Sequence, residues 1–177
     1  FAPVHLSTGR NDRSGEHSVL MLKPTSEWGL SLAARHARWF ASRIRGVVAD
    51  ALDDLDPAVL GATLGAVPAP PPLRLTTHQW RVIAGAAYGP GLYSVDPEPF
   101  RRLVCHALVD DIELADRHER LLIRGVLQHH SWETVAESLG FTSRTAALRE
   151  FGRALRPLVE AYGPPITQAV RERFENR

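Results

Sequence analysis

The fold is decided by residues 116–158, which read DRHERLLIRGVLQHHSWETVAESLGFTSRTAALREFGRALRPL. We predict three helices in this stretch. The first begins at Asp116, because Glu119 three residues later completes a reciprocal capping box. The second begins at Ser131, a good N-cap residue, and ends at Gly140, where glycine adopts a positive φ without strain.

The third helix has one apolar side and one basic side, and Thr142 or Ser143 caps its N-terminus. Core positions recur at helical spacing, namely Ala147, Leu148, Phe151, Ala154, Leu155 and Leu158. The other side carries Ser143, Arg144, Thr145, Arg149, Arg153 and Arg156, against the acid Glu150. A short helix, a glycine turn and a longer helix are typical of a helix-turn-helix, and the alternative is an ordinary helical hairpin.

This stretch, residues 116–158, resembles region 4 of sigma-70-type factors and the helix-turn-helix of LuxR-type regulators. The matching positions are Glu119, Arg120, Leu127, Ser131, Trp132, Val135, Ala136, Leu139, Gly140, Arg153 and Ala154. The resemblance implies a bacterial transcription factor whose third helix enters the DNA major groove. Arg153 and Ala154 lie one residue further along than in these families, so the register of this helix on DNA stays open to within one residue.

We therefore predict a sequence-specific transcriptional regulator that binds double-stranded DNA through a recognition helix at residues 143–156. The residues predicted to reach base edges are Arg144, Thr145 and Arg149. Those predicted to contact phosphates are Ser131, Thr142, Ser143, Arg153 and Arg156. The alternative is a sigma-like factor or a protein-interaction module that binds RNA polymerase or another protein through the same region.

The N-terminal part contains a second clear helix. Ser26 can cap it, and apolar residues follow at a 3-4-3-4 spacing, namely Leu30, Ala33, Ala37, Phe40, Ile44, Val47 and Ala51. This seam fits either a core helix of a bundle or the interface of a homodimer. Trp28 and Trp39 lie eleven residues apart, which is three helical turns, and with Trp80 they are predicted to be core or interface anchors.

The predicted class is all-α, a multi-helix bundle with a C-terminal helix-turn-helix. We divide the chain into six parts. They are an N-terminal arm, ordered or disordered (1–25), an N-terminal helical segment forming a dimer or partner surface (26–66), a proline-rich connector (67–73), a middle helical segment (74–115), the helix-turn-helix DNA-binding domain (116–163) and a C-terminal helix (164–177). Within the arm, residues 1–18 are polar, and residues 19–22 are apolar enough to form a strand or a strap across helices.

The composition narrows the cellular location of the protein and the kinds of partner that it can bind. The net charge of +1 means that any nucleic-acid binding must come from a local basic patch. The single cysteine, Cys105, excludes an internal disulfide and fits a reducing cytoplasm. No run approaches the roughly 18 apolar residues of a membrane helix. We therefore expect a cytoplasmic protein with no membrane partner.

Other chemistry is not expected. The chain has eight histidines, but no pair has the ligand spacing of a zinc finger or of an HExxH helix. No nucleophile elbow, P-loop or dinucleotide-binding glycine pattern is present. The sequence thus predicts no metal, no cofactor, no catalytic residues and no enzyme activity.

Overall fold

The structure is a computed structural model that describes residues 1–176, and it is mostly helical. A two-stranded hairpin comes first, followed by eight α-helices within the described residues. The elements are β1 (Ala2–Leu6), β2 (Val19–Leu22), α1 (Glu27–Ala51), α2 (Pro57–Gly65), α3 (Thr77–Tyr88), α4 (Pro97–Val109), α5 (Asp116–Leu122), α6 (Trp132–Ser138), α7 (Arg144–Tyr162) and α8 (Pro165–Glu175). A 3-10 turn at Tyr93–Val95 precedes α4, and a π-helical segment at Ile123–Leu127 continues α5.

Five of the eight helices in the described residues begin after a side chain that accepts a hydrogen bond from a free backbone N–H group. Ser26 caps α1, Asp56 caps α2, and Thr76 forms a complete capping box with Gln79 at the start of α3. The predicted capping box at Asp116 is wrong. The N-cap of α5 is Ala115, which makes no side-chain bond, and the Asp116 carboxylate instead accepts from Arg120 one turn later.

The N-terminal segment contains the main departure from the all-α prediction. Residues 2–6 are not an arm: β1 pairs antiparallel with β2, from Ala2 opposite Leu22 to Leu6 opposite Val19. Val4 and Leu6 are buried, because β1 packs against α1. Strand pairing across the intervening polar loop is a long-range contact, which hydrophobic periodicity within either short strand does not reveal.

Residues on both sides of the proline-rich connector belong to one hydrophobic core. Buried residues of α1, α2, α3, α4, α5 and α7 belong to one contiguous cluster, so the connector does not separate two cores. His106 of α4 holds the connector against this core through a contact of 2.8 Å between its Nδ1 and the Pro71 carbonyl oxygen. Cys105 lies beside it, and burial raises the pKa of its thiol to about 11, which keeps it protonated.

The segment before α6 is fixed to the end of α1 by one buried amide. The Gln128 side chain donates to the carbonyl oxygens of Leu52 at 2.8 Å and Leu55 at 2.7 Å. These two carbonyl groups lie just beyond the last turn of α1, where the helix supplies no further backbone N–H donors. His129 then takes a positive φ of 60°, and the chain turns into α6. Gln128 therefore ties the C-terminal hairpin to the N-terminal half of the molecule.

Candidate nucleic-acid interface

The C-terminal hairpin is built from α6, a tight turn and α7. Ser131 Oγ accepts from the backbone N–H of Thr134 at 3.1 Å, and Ser143 Oγ accepts from Ala146 at 3.1 Å. Gly140 provides the turn with a φ of 66°, a conformation that favours glycine. Two of the predicted phosphate contacts, Ser131 and Ser143, are thus the N-caps of the two helices.

The turn is held from outside by Arg117 of α5, a residue that the sequence pattern did not single out. Its guanidinium carbon lies 3.9 Å from the centroid of the Phe141 ring. The same group donates to the carbonyl oxygens of Leu139 at 2.9 Å and Gly140 at 3.3 Å. These bonds satisfy carbonyls at the end of α6. We call these three contacts the Arg117 clamp. Arg117 is far from the turn in sequence, so the local sequence pattern does not reveal them.

We expect Arg117→Ala to lower the free energy of unfolding by about 1 kcal/mol, since it removes a cation–π contact and two carbonyl partners at an exposed site. Amide exchange should also accelerate in residues 139–142. Urea denaturation and hydrogen–deuterium exchange measure both effects. Arg81→Ala is the control, because Arg81 is exposed and has no acidic partner among residues 1–176. Equal exchange in the two variants would contradict the clamp.

The predicted base-reading residues at the start of α7 lie on the surface. Arg144 and Thr145 are exposed, and Arg144 Nε lies 3.5 Å from a carboxylate oxygen of Glu133 on α6. Thr142 is also exposed, in the turn. The Arg144–Glu133 pair is an exposed ion pair, worth a few tenths of a kcal/mol at most, so a polyanion can displace Glu133 easily.

Further along α7, three of the predicted arginines line one groove. Arg149, Arg153 and Arg156 face the segment from the end of α3 to the 3-10 turn across a cavity of about 340 Å³. Tyr88 and Tyr93 also line it. We call this cavity, with its three arginines and two tyrosines, the arginine groove. Its chemistry suits a ligand that combines negative charge with flat apolar surface.

The three arginines differ in how freely they can bind a ligand. Arg149 is exposed and has no acidic partner among the described residues, whereas Arg153 donates to Glu150 at 2.9 Å. Arg156 Nε donates to the Ala87 carbonyl oxygen at 3.1 Å, which fixes its guanidinium at the groove wall. Arg149 is therefore the most available of the three charges.

The Glu150 carboxylate accepts hydrogen bonds from two side chains. His118 Nε2 of α5 donates to one carboxylate oxygen at 2.7 Å, and Arg153 occupies the other. The hydrogen bond from His118, followed by that from Arg153, holds the pKa of Glu150 below its usual range. Glu150 therefore stays ionised at neutral pH and offsets only part of the positive charge of this side of α7.

Residues 1–176 contain neither a metal-binding cluster nor a membrane-spanning helix. Among residues 1–176, no group of three or more His, Cys, Asp or Glu side chains is arranged to hold a metal ion. Within the same residues, none of the helices has both the length and the hydrophobicity that crossing a bilayer requires.

Comparison with known proteins gives matches along nearly the whole chain. No protein-family model matches it. It is 47% identical, over 98% of its length, to the tRNA(Met) cytidine acetyltransferase TmcA of Haloferax volcanii. Proteins of the same name match it at 43% identity over 95% of the chain in Haloarcula marismortui and at 33% over 99% in Nitrosococcus halophilus. The chain spans only 23%, 22% and 24% of these relatives, about a quarter of their length.

These relatives correct the functional prediction. The prediction of a transcriptional regulator that binds double-stranded DNA or RNA polymerase is wrong. Relatives at 33–47% identity over nearly the whole chain are named for a tRNA modification. The prediction of no enzyme is wrong as well, because those relatives are named as acetyltransferases. The error has a physical origin: arginines on a helix favour phosphate oxygens of DNA and RNA alike. The dimer and the individual contact residues stay predictions.

Proposed function

We propose that this chain is the part of a tRNA cytidine acetyltransferase that holds the tRNA, and that the exposed side of α7 with the arginine groove contacts the tRNA backbone. The proposal is carried by the 47% identity across 98% of the chain to a protein named for that activity. The predicted cytoplasmic location belongs to the same proposal, since tRNA is the substrate in the relatives' names.

The shape of the surface supports a backbone contact. Thr145, Arg149, Arg153 and Arg156 recur at helical spacing and span roughly 17 Å of α7 at 1.5 Å per residue. Such a row can follow several successive phosphates. Proteins recognise folded RNA largely through phosphates, 2′-hydroxyls and shape, since side chains cannot read the deep, narrow major groove of an A-form helix. Of the two tyrosines in the arginine groove, Tyr93 packs against Phe100, Trp132 and Phe151, so Tyr88 is the ring placed to receive an unstacked base.

The helix-turn-helix arrangement enters this proposal in a modified form. We infer that residues 116–158 keep the short helix, glycine turn and longer helix of that motif, with RNA as the ligand. In support, α6 ends before Gly140 at its positive φ, and α7 begins behind the Ser143 cap. In this arrangement Arg144 and Thr145 lie at the exposed start of α7, where the helix dipole also favours an anion.

The test is the binding of a tRNA(Met) transcript, followed by fluorescence anisotropy at several salt concentrations. We expect the Arg149→Ala/Arg153→Ala double variant to bind more weakly, with the slope of log K against log salt reduced by roughly 0.7–0.9 for each phosphate that the variant no longer neutralises. Arg13→Ala/Arg81→Ala is the matched charge control, because it also removes two exposed arginines, one on the hairpin loop and one on α3, and neither lines the arginine groove. Equal binding of a DNA duplex of the same length, or an unchanged slope in the double variant, would refute the proposal.

A further inference from the structure

The exposed side of α1 combines arginine and tryptophan in a way that the fold does not explain. Trp28, Arg35, Arg38, Trp39 and Arg43 are all exposed, and helical spacing places them on one side. Between Glu27 and Asp50 the helix contains no acidic residue. We call these five residues the α1 face.

Its cations are available to a ligand. Among residues 1–176, Arg35, Arg38 and Arg43 have no acidic partner. Arg45 of the same helix, by contrast, is paired with Glu98 on α4. Three cations on one side of a helix repel one another, and only Arg43 has a contact that offsets this repulsion, with the Trp39 ring. Their concentration there points to a polyanionic ligand.

The tryptophans are equally unused by the core. Trp28 is 75% exposed and Trp39 is 54% exposed, whereas Trp80 is buried at 6%. Of the predicted core or interface roles, the core role is wrong for both rings of α1 and right for Trp80, and the interface role stays a prediction. Trp39 is nevertheless held in place: the guanidinium carbon of Arg43 lies 4.2 Å from its ring centroid. It is a fixed flat surface beside a positive charge.

A separate cavity lies further along α1, beginning about one helical turn beyond Arg38, and none of the five residues of the α1 face lines it. It measures about 320 Å³ and is lined by Ser42 and Arg45 of α1, by Pro71, Pro72 and Arg74 of the connector, and by Arg102 of α4. This volume is at the lower end of the range for small-molecule pockets, so it suits one nucleotide and excludes a duplex. Three arginines line it, but Arg45 and Arg102 share the carboxylate of Glu98, so Arg74 is the cation without an acidic partner among the described residues, and the two prolines supply an apolar wall.

From these observations we propose that the α1 face and this cavity bind unpaired nucleotides of RNA. Bases stack on Trp28 and Trp39, Arg35, Arg38 and Arg43 contact phosphates, and the cavity receives one nucleotide that projects from the strand. Stacking on aromatic rings between cationic side chains is the usual recognition of single-stranded RNA, because every base has a π-face. The identity of that RNA as tRNA rests on the proposed function, whereas the class of ligand rests on the α1 face alone.

The probe is a short oligouridine without secondary structure, and the readouts are its affinity and the quenching of tryptophan fluorescence. We expect quenching, because Trp28 and Trp39 are exposed and stacking quenches indole emission. Trp28→Ala and Trp39→Ala should each weaken binding roughly tenfold, whereas the phenylalanine variants should retain most of the affinity. Arg38→Ala should weaken binding, and Arg81→Ala on α3 should leave it unchanged. Val95→Ala controls for removal of an exposed apolar side chain elsewhere.

The outcomes separate the two proposals. Without quenching, or with unchanged affinity in both alanine variants, the α1 face does not bind RNA, even if the α7 variants show that tRNA(Met) binds. If tRNA(Met) fails to bind but oligouridine quenches and the alanine variants lose affinity, the α1 face stands and the tRNA proposal falls. If the alanine variants change the oligomeric state in light scattering and leave oligouridine affinity intact, the face is a protein interface, and the inference is overturned.

Discussion

Replacing Phe151 with alanine is expected to lower the free energy of unfolding by about 3–5 kcal/mol, the usual cost of deleting a buried phenylalanine ring. Phe151 is 2% exposed on α7. Its ring centroid lies 4.9 Å from that of Trp132, 5.6 Å from Tyr93 and 5.7 Å from Phe100. One side chain thus joins α6, the 3-10 turn and α4 to α7, so its removal leaves a cavity that no single helix can close.

Urea denaturation with matched m-values measures the destabilisation. Phe151→Leu keeps much of the volume and should cost less than about 1.5 kcal/mol. Val95→Ala, at a residue 72% exposed, should stay within about 0.5 kcal/mol of the wild type. A destabilisation below about 1 kcal/mol in Phe151→Ala, against the cost usual for a buried ring, would show that the aromatic cluster around α7 is not the tightly packed centre that these distances describe.

Local features of the sequence predicted three helix starts. Ser26, Ser131 and Ser143 each begin a helix because their side chains accept a hydrogen bond from a backbone N–H three residues away. Such a signal needs no knowledge of the rest of the chain. The predicted capping box at Asp116 was wrong, because the Asp116 carboxylate accepts instead from Arg120, one turn later on the same helix.

Features that depend on distant contacts were not predictable in this way. Trp28 and Leu30 of α1 are 75% and 58% exposed, although periodicity placed Leu30 in the seam. Apolar spacing marks one side of a helix, but it does not say how far along the helix other elements extend to cover it. The hairpin, the Arg117 clamp and the arginine groove likewise arise between segments far apart in sequence.

The sequence predicted a basic candidate site on α7, and the ligand assigned to it, double-stranded DNA, is wrong. The individual contact residues stay predictions. A basic helical hairpin predicts that a polyanion binds, and Arg149 and Arg153 do lie in one groove with Tyr88. Arginine geometry does not separate RNA from DNA, because both present the same phosphate oxygens. The 2′-hydroxyl and the A-form shape make that distinction, and no spacing within one helix encodes either.

Replacing Gly152 with alanine is expected to lower the free energy of unfolding by about 1–3 kcal/mol, the usual cost of an overpacked core. A Cβ atom at this position would lie 2.8 Å from the carbonyl oxygen of Ala86 on α3. That oxygen belongs to helix backbone and cannot rotate away, so α3 and α7 must separate. Alanine improves helix propensity by about 1 kcal/mol, which offsets only part of the strain.

Gly46→Ala provides the matched control, because nothing lies within 4 Å of a Cβ atom at Gly46, which is helical and lies near the C-terminal end of α1. There the same substitution changes only helix propensity and should raise stability by up to about 1 kcal/mol. The two substitutions are therefore expected to change the free energy of unfolding in opposite directions in urea denaturation. A stabilising Gly152→Ala would contradict the close approach of α3 and α7.

Because these two helices form the walls of the arginine groove, Gly152→Ala should also weaken tRNA(Met) binding under conditions where the variant remains folded. Folding and binding thus depend on the same contact, since the approach that glycine permits also places Arg149, Arg153 and Arg156 opposite Tyr88.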